Sequence, residues 1–530
     1  MNRAAIATAP GTGGIAVIRL SGPDAFTITD RIFRARNRNK TVSTAEAYTM
    51  LFGNIVDYNG QQTTVNSQQT SPDGDYRPLS VDCRHDIIDE VVISVFRAPH
   101  SFTGENTVEI SCHGSIYIQQ EILRLLIAAG ARMAGPGEFT QRAFLNGRLD
   151  LSQAEAVADL INAQSAAAHT IALNQMRGNF SSKLEELRRQ LLHFVSLLEL
   201  ELDFGDHDDL EFADRTELNA VAEAIRSQLS RLQQTFSQGN AIKNGIPVAI
   251  VGETNAGKST LLNLLVGDNR AIVSDIHGTT RDVIEDTVNI NGLTFRFIDT
   301  AGIRQTSDII ENMGIERTYE MIERAQIILW VVDSTNVTEH IEWLAERIMR
   351  RTEGKRLIIL LNKVDRLNDE ELITLREWFE PYKTTVNRQQ STDNSQSPNE
   401  ANSNSSPVLG EVPKAEGLTS VDCRQNTIIE ISAKQSTNTE QLTRLLYESA
   451  QMPDLSAGDI IISNLRHYEA LTHALESIDR VIEGLQMNIP ADFVAQDIRE
   501  ALFHLAEITG GEITTDEVLG NIFAHFCIGK

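Results

Sequence analysis

Residues 247–265, PVAIVGETNAGKSTLLNLL, constrain the fold more than any other stretch of this chain. A β-branched run enters Gly252-Glu253-Thr254-Asn255-Ala256-Gly257-Lys258-Ser259, and a leucine-rich helix leaves it. Strand, glycine loop and helix in that order are what a phosphate-binding loop requires. Glycines let backbone N–H groups curl around phosphates, and the helix N-terminus adds its positive end. Lys258 can reach the β- and γ-phosphates, the Ser259 hydroxyl can bind Mg²⁺, and Asn255, Ala256, Gly257 and Thr260 complete the contact surface. From Pro247 to about Ala450, β-branched runs alternate with amphipathic helices, the pattern of a parallel α/β sheet.

Three later elements narrow the nucleotide to guanine. Asp299-Thr300-Ala301-Gly302 ends a strand and offers Asp299 to the magnesium shell and the Gly302 amide to a γ-phosphate. Asn362-Lys363-Val364-Asp365 follows RLIILL, and the Asp365 carboxylate can accept from guanine N1–H and its exocyclic amine, a donor pair that adenine lacks. Ser432-Ala433-Lys434 follows IIEI and suits a loop that supports the base. Between them, Ser274-Asp275-Ile276-His277-Gly278-Thr279-Thr280 offers Thr280 to Mg²⁺. The residue after Gly302 is Ile303, where many GTPases place a water-orienting glutamine. Hydrolysis must therefore recruit a polar group and a positive charge from elsewhere, and Glu311 is a candidate. The Asn255 side-chain carbonyl could hold a monovalent cation against the phosphates, or the residue could simply serve the turn.

Outside this unit the pattern changes. Residues 1–150 mix strand-like runs (GIAVIRL, DEVVISVF, TVEISCHG) with one clear helix, YIQQEILRLLIAAGA, and read as an α+β domain. Residues 151–243 and 451–530 are helical in spacing, so an α/β unit over 244–450 is expected to be inserted into one helical domain. Ser152 with Glu155, and Thr514 with Glu517, read as capping boxes, the first opening a helical stretch to about Phe204. Helices are also expected over 215–238, 464–487, 492–508 and 515–526. Two polar tracts, about 60–84 and 384–424, share TTVN and SVDCR and read as two copies of one solvent-exposed, largely disordered insert.

The 47 Lys and Arg against 73 Asp and Glu leave a net charge of −26, which argues against a surface that coats nucleic acid broadly, though not against a local basic patch. Four cysteines, Cys83, Cys112, Cys423 and Cys527, lack metal-ligand spacing and fit a reduced cytosolic set. No apolar run approaches membrane-span length, and the glycines and Pro10 interrupt the N-terminal run, so a soluble cytoplasmic protein is expected. The chain ends FCIGK. Gly529 and Lys530 spoil a prenylation box at Cys527, which leaves a positional or a thiol role for that residue.

GETNAGKST, DIHGTTRD, DTAGIR and NKVD, with SFTGENTVEISCHG and GPGEFTQRAFLNGRLDLSQAEAVADLI upstream and FCIGK at the end, together resemble the MnmE (TrmE) family of bacterial tRNA-modification GTPases. The resemblance implies a multidomain α/β protein: an N-terminal α+β folate-binding and dimerisation domain, a helical domain in two sequence halves, and an inserted Ras-like P-loop G domain. It further implies potassium ligands at Asn255, Ser274, Ile276 and Thr279, magnesium ligands at Ser259 and Thr280, and catalytic roles for Glu311 and Lys258. Position 274 is often threonine in the family, and serine keeps the oxygen. Folate contacts map to Arg19, Glu109, Arg148 and Lys530, the substrate being a tetrahydrofolate derivative in its 5,10-methylene form. The family works as a homodimer and as a heterotetramer with the FAD-dependent MnmG (GidA), which brings in FAD and tRNA. Together they build a carboxymethylaminomethyl or aminomethyl group on the wobble uridine. A second reading of the same G motifs is a regulatory GTPase of ribosome assembly, but no basic GXXG-bearing RNA-binding module accompanies them here.

Overall fold

The computed structural model describes residues 1–57, 86–204, 215–268, 286–298, 319–337, 339–352, 354–382, 426–450 and 460–511, with isolated residues beyond 518. Both polar tracts, the Thr514–Glu517 box and most of the 515–526 segment lie outside them. Contacts gather the chain into two compact units. One comprises Met1–Asn162, Ile171–Thr235 and Asn464–Lys530, and the other Ala163–Thr170 and Phe236–Ser463.

The first unit opens with a sheet of β1 (Arg3–Ile6), β2 (Gly13–Ser21), β3 (Phe33–Ala35), β4 (Thr49–Asp57), β5 (Asp86–Phe96), β6 (Thr107–Gly114) and β7 (Arg132–Met133), in spatial order β3-β4-β5-β6-β2-β1-β7. Its alternation follows the period of two. Ile18 and Leu20, Val91, Ile93 and Val95, and Val108 and Ile110 point to one face, where α1 (Ala25–Ile32) and α2 (Ile116–Ala128) bring Phe26, Ile28, Ile122 and Leu126 onto them. Arg19, Ser21 and Glu109 therefore share the other face. Cys112 belongs to the core side, where burial, reinforced by the Asp89 charge, pushes its thiol up to about 11.

Helices α3 (Glu138–Leu145), α4 (Leu151–Asn162), α5 (Ala166–Met176), α6 (Asn179–Phe204), α7 (Arg215–Gln234), α13 (Leu465–Gln486) and α14 (Ala491–Thr509) complete this unit, α5 beginning in the other. The long helical stretch expected after residue 151 is thus three helices. Ser165 accepts from the Ala168 amide to start α5, and Gly178, at φ +86°, separates α5 from α6. The expected Ser152/Glu155 capping box is a misreading by two residues. Asp150 and Gln153 form the box instead, each side chain accepting from the other's amide at 2.9 Å. Ser152 is buried against Ser181, and Glu155 faces inward to Arg466 and His467.

The second unit contains α8 (Phe236–Asn244), β8 (Ile246–Val251), α9 (Lys258–Asp268), β9 (Asp286–Ile290), β10 (Leu293–Phe297), β11 (Ile327–Asp333), α10 (Glu339–Arg351), β12 (Arg356–Asn362), α11 (Asp369–Phe379), β13 (Thr427–Ile431) and α12 (Thr439–Ser449). Its six strands run in the order β13-β12-β11-β8-β10-β9, parallel except for the β9–β10 hairpin. The central strands are buried on both faces, which explains why IILWVV and RLIILL are continuous apolar runs. The crossing from β8 to β10 on one side and β11 on the other opens a crevice at the strands' C-terminal ends, the usual ligand position in such sheets.

Candidate functional site

At that crevice β8 turns sharply into the phosphate loop. Gly252, at φ +145°, lies so close to β11 that a Cβ there would sit 2.1 Å from the Val331 carbonyl oxygen, so only glycine allows the turn. Asn255 adopts the left-handed region at φ +63° and is exposed, while Ala256 is buried. Lys258 starts α9 and donates to the carbonyls of Gly252 at 2.8 Å and Glu253 at 2.5 Å. Burial pushes its ammonium below the usual lysine value, with the Glu253 charge opposing. A bound phosphate would supply the counter-charge that those carbonyls approximate. Ser259 and Thr260 stand in the first turn of the same helix, where hydroxyl oxygens suit a hard cation.

Asn362, at the end of β12, ties three loops together. Its Nδ2 donates to the Ala256 carbonyl at 2.7 Å, and its Oδ1 accepts from the Ala433 amide at 3.0 Å. It is 2 % exposed, so both bonds form out of water. Lys363 follows at φ +68° and its Nζ reaches Asp333 Oδ2 at 2.5 Å. Burial alone would raise the Asp333 carboxyl, but Lys363 and Thr335 override it and hold the group below the usual carboxylate range. The short 3-10 turn Val364–Arg366 leaves Asp365 exposed at the rim. Ser432 is buried, closes a one-residue bridge with Thr437, and accepts from the Gln435 amide, whereas Lys434 is exposed. The phosphate loop, NKVD and SAK segments thus meet. Ser274, Asp275, Ile276, His277, Gly278, Thr279 and Thr280, Asp299, Thr300, Ala301 and Gly302, and Glu311 lie outside the described residues. Asp333 went unnoticed in the sequence, where its signal is the position ending IILWVVD.

A second polar cluster stands on the other face of the seven-stranded sheet, partly covered by Thr103 and Phe139. Arg19 donates to Glu109 Oε1 from Nε at 3.0 Å and from Nη2 at 2.7 Å, in a cross-strand pair of β2 and β6. Its guanidinium lies 5.5 Å from the Phe102 ring centre and 5.6 Å from that of Phe139. Its remaining Nη1 donates to the Gly529 carbonyl at 3.3 Å, which brings the end of the chain to its first domain. Gly529, at φ +97°, packs where a Cβ would be 2.3 Å from the Ile6 carbonyl oxygen. Along the same face Ser21 bonds Thr103 and Glu105, and Arg142 binds Glu105 at 2.7 Å. Arg148 is exposed beside Gly104, its Cγ 3.2 Å from the place a Cβ would take there. Cys527 and Lys530 lie outside the described residues. Phe102, Phe139 and Arg142 lie within SFTGENTVEISCHG and GPGEFTQRAFLNGRLDLSQAEAVADLI, two of the stretches that carry the resemblance, but the sequence does not single them out as site residues.

Comparison with known proteins covers the whole chain. Residues 3–148 match the family description "GTP-binding protein TrmE N-terminus", and residues 151–527 match "MnmE helical domain". A protein of Parabacteroides distasonis named tRNA modification GTPase MnmE is 53% identical over 526 residues, 99% of each chain. A protein of the same name from Bacteroides fragilis is 51% identical over 526 residues, 99% of this chain and 98% of its own. Another, from Christiangramia forsetii, is 46% identical over 532 residues, again 99% and 98%.

Proposed function

Because the chain belongs to the MnmE family of tRNA modification GTPases, we propose that it couples potassium-activated GTP hydrolysis to remodelling of the wobble uridine of certain tRNAs. The observation that carries the GTPase half is Asn362, which fastens the phosphate loop to the base-supporting loop through two buried hydrogen bonds.

On this reading Asp365 receives guanine at the rim, and Lys258 leaves the loop carbonyls for the β- and γ-phosphates. Ser259 and Thr280 hold Mg²⁺. The side-chain oxygen of Asn255, with Ser274, Ile276 and Thr279, holds K⁺. Asn255 takes the left-handed turn position at φ +63° and is exposed, so the turn and an oxygen donated to a cation are compatible roles for it. Bound there, potassium supplies the positive charge that an arginine finger supplies elsewhere. Glu311 orients the water for which Ile303 has no group.

The Arg19–Glu109 cluster is the folate site in this reading. Arg19, Glu109, Arg148 and Lys530 hold a methylene-tetrahydrofolate, and the Arg19 bond to the Gly529 carbonyl brings the tail beside it. The protein acts in the cytoplasm as a homodimer and, with FAD-dependent MnmG, as a heterotetramer that engages tRNA. No described helix is long and apolar enough to cross a membrane.

GTP turnover measured in potassium and in sodium tests the proposal. Potassium is expected to stimulate turnover on the order of 100-fold, and Asn255→Ala to abolish the difference between the salts. Equal rates in both salts for the unaltered protein would overturn the potassium role.

A further inference from the structure

The strong negative excess of this chain has local exceptions, and one of them contains no carboxylate at all. Residues 31–40, RIFRARNRNK, carry Arg31, Arg34, Arg36, Arg38 and Lys40 with no carboxylate, and the next acidic residue is Glu46. The segment forms edge strand β3 and the loop that follows it. Arg34, Arg36, Arg38 and Lys40 are all exposed. Among the described residues, Arg36, Arg38 and Lys40 pair with no carboxylate, whereas most other arginines of this unit with printed contacts reach an acidic partner or a backbone oxygen.

The loop is held in place from below. Asp30 accepts from the Val42 amide at 2.7 Å and from the Ser43 amide at 3.0 Å, so the one nearby carboxylate is spent on the loop's own backbone. Arg97 donates to the Ser43 and Ala45 carbonyls at 2.7 Å, and Val42 is fully buried. Between these anchors the Lys40 amide closes a turn on the Asn37 carbonyl at 3.0 Å. The Arg36 guanidinium lies 5.9 Å from the centre of the half-exposed Phe52 ring, with Tyr48 exposed on the neighbouring strand approach. Protection of a sheet edge by charge would account for Arg34 alone, because β3 is only three residues long and the other cations lie beyond it.

We propose that the Arg36–Lys40 loop is a contact site for the phosphodiester backbone of the tRNA, a site that rests on the tRNA-modification reading above. Preformed loops with unpaired cations suit phosphates, since little ordering entropy is lost when they bind. The half-exposed Phe52 ring beside Arg36 adds an aromatic face that an unpaired base can meet. The surrounding negative excess then confines RNA to this edge, which gives orientation at modest affinity.

The test is the salt dependence of binding between the full-length protein and an unmodified tRNA transcript, followed by fluorescence anisotropy. The triple variant Arg36→Gln, Arg38→Gln, Lys40→Gln is expected to lower the slope of log affinity against log salt by about 2 to 3, with about tenfold or greater loss of affinity at low salt. Arg188→Gln with Arg189→Gln, exposed cations on α6, should leave both nearly unchanged. An unchanged thermal unfolding profile of residues 1–162 and their helical partners in the triple variant shows that the unit carrying the loop folds. An unaltered slope, or no salt-sensitive binding by the unaltered protein, overturns the site. So does loss of binding to phosphatidylglycerol vesicles with tRNA binding intact, which would assign the loop to lipid. Wobble modification assayed with the partner separates the two levels of the reading. A protein that supports modification while ignoring the three cations loses this site and keeps its function.

Discussion

Asn362 shows how little of a site's wiring a motif discloses. NKVD marks it as part of guanine recognition, but both of its partners are backbone groups, on Ala256 and Ala433, 106 and 71 residues away. A backbone partner leaves no side-chain signal, so the bridge was not legible in the sequence even though its three loops were. Losing two buried hydrogen bonds and stranding an amide and a carbonyl costs about 2–4 kcal/mol. Asn362→Ala is therefore expected to weaken GDP binding by about 30- to 1000-fold, read by titration with a fluescent-labelled nucleotide. Gly257→Ala should do comparable harm from the opposite side. Its φ is +101°, and a Cβ would stand 2.1 Å from Asn362 Nδ2, so the loop and the bridge cannot both keep their places. Wild-type affinity in either variant would show that the bridge does not govern the site.

Whole elements were easier to read than their ends. Period-two runs located β2, β5 and β6 and period-3.6 runs located α13 and α14, because burial of one face repeats along an element. Breaks depend on single residues, which is why three helices after Asp150 read as one and why the cap was set two positions late. Glu155 has a different task. Its carboxylate on α4 accepts from Arg466 Nε at 2.8 Å and lies 2.7 Å from His467 Nε2 on α13, while Arg466 also donates to the Glu507 and Ile508 carbonyls at the end of α14. Burial would raise its pKa, yet His467 and Arg466 hold it at about 2. A carboxylate whose folded value lies below its unfolded one stabilises the fold fully above about pH 4.5 and loses that contribution as pH falls towards 2. The difference amounts to about 3 kcal/mol. Urea unfolding at several pH values should show wild type losing more stability across that window than Glu155→Gln. At pH 7 the variant should be weaker by about 3 kcal/mol, since buried His467 and half-buried Arg466 lose their carboxylate partner. Asp150→Ala, which removes only the true cap, should cost about 1 kcal/mol. Equal costs for the two changes would contradict this division of labour.

At the scale of the molecule, an entire α/β unit is inserted in sequence between the two halves of a helical domain. Those halves meet through α7 and α13, which run antiparallel: Arg226 pairs with Asp479 at 2.5 Å, and Gln233 donates to Thr472 at 2.9 Å. Within the inserted unit α8 meets the returning chain, where a Cβ on Gly239 would be 2.1 Å from the Ile462 carbonyl oxygen. The chain leaves and re-enters at neighbouring points, so the insertion costs the helical domain little loop entropy. The sequence pattern of helix, α/β and helix made the insertion legible, whereas the adjacency of its ends depends on pairing over more than 200 residues. The inserted unit also carries its own core, with Val251, Trp330, Leu361 and Phe379 in one apolar cluster drawn from residues 249–379 and their packing neighbours. All six strands of its sheet lie within Phe236–Ser463. That fragment, expressed alone, should fold and bind GDP within about threefold of the full chain, because every described nucleotide-site residue and partner lies inside it. The segment Ala163–Thr170, which joins this unit through the Asn289 side chain on the Gln164 carbonyl and the Ala167 amide on the Gly292 carbonyl, touches the far hairpin of the sheet and not the loops that hold the nucleotide. A soluble, folded fragment with at least a hundredfold weaker GDP binding would mean that the helical domain shapes the nucleotide site directly, and the insertion would then be a single cooperative unit with its host.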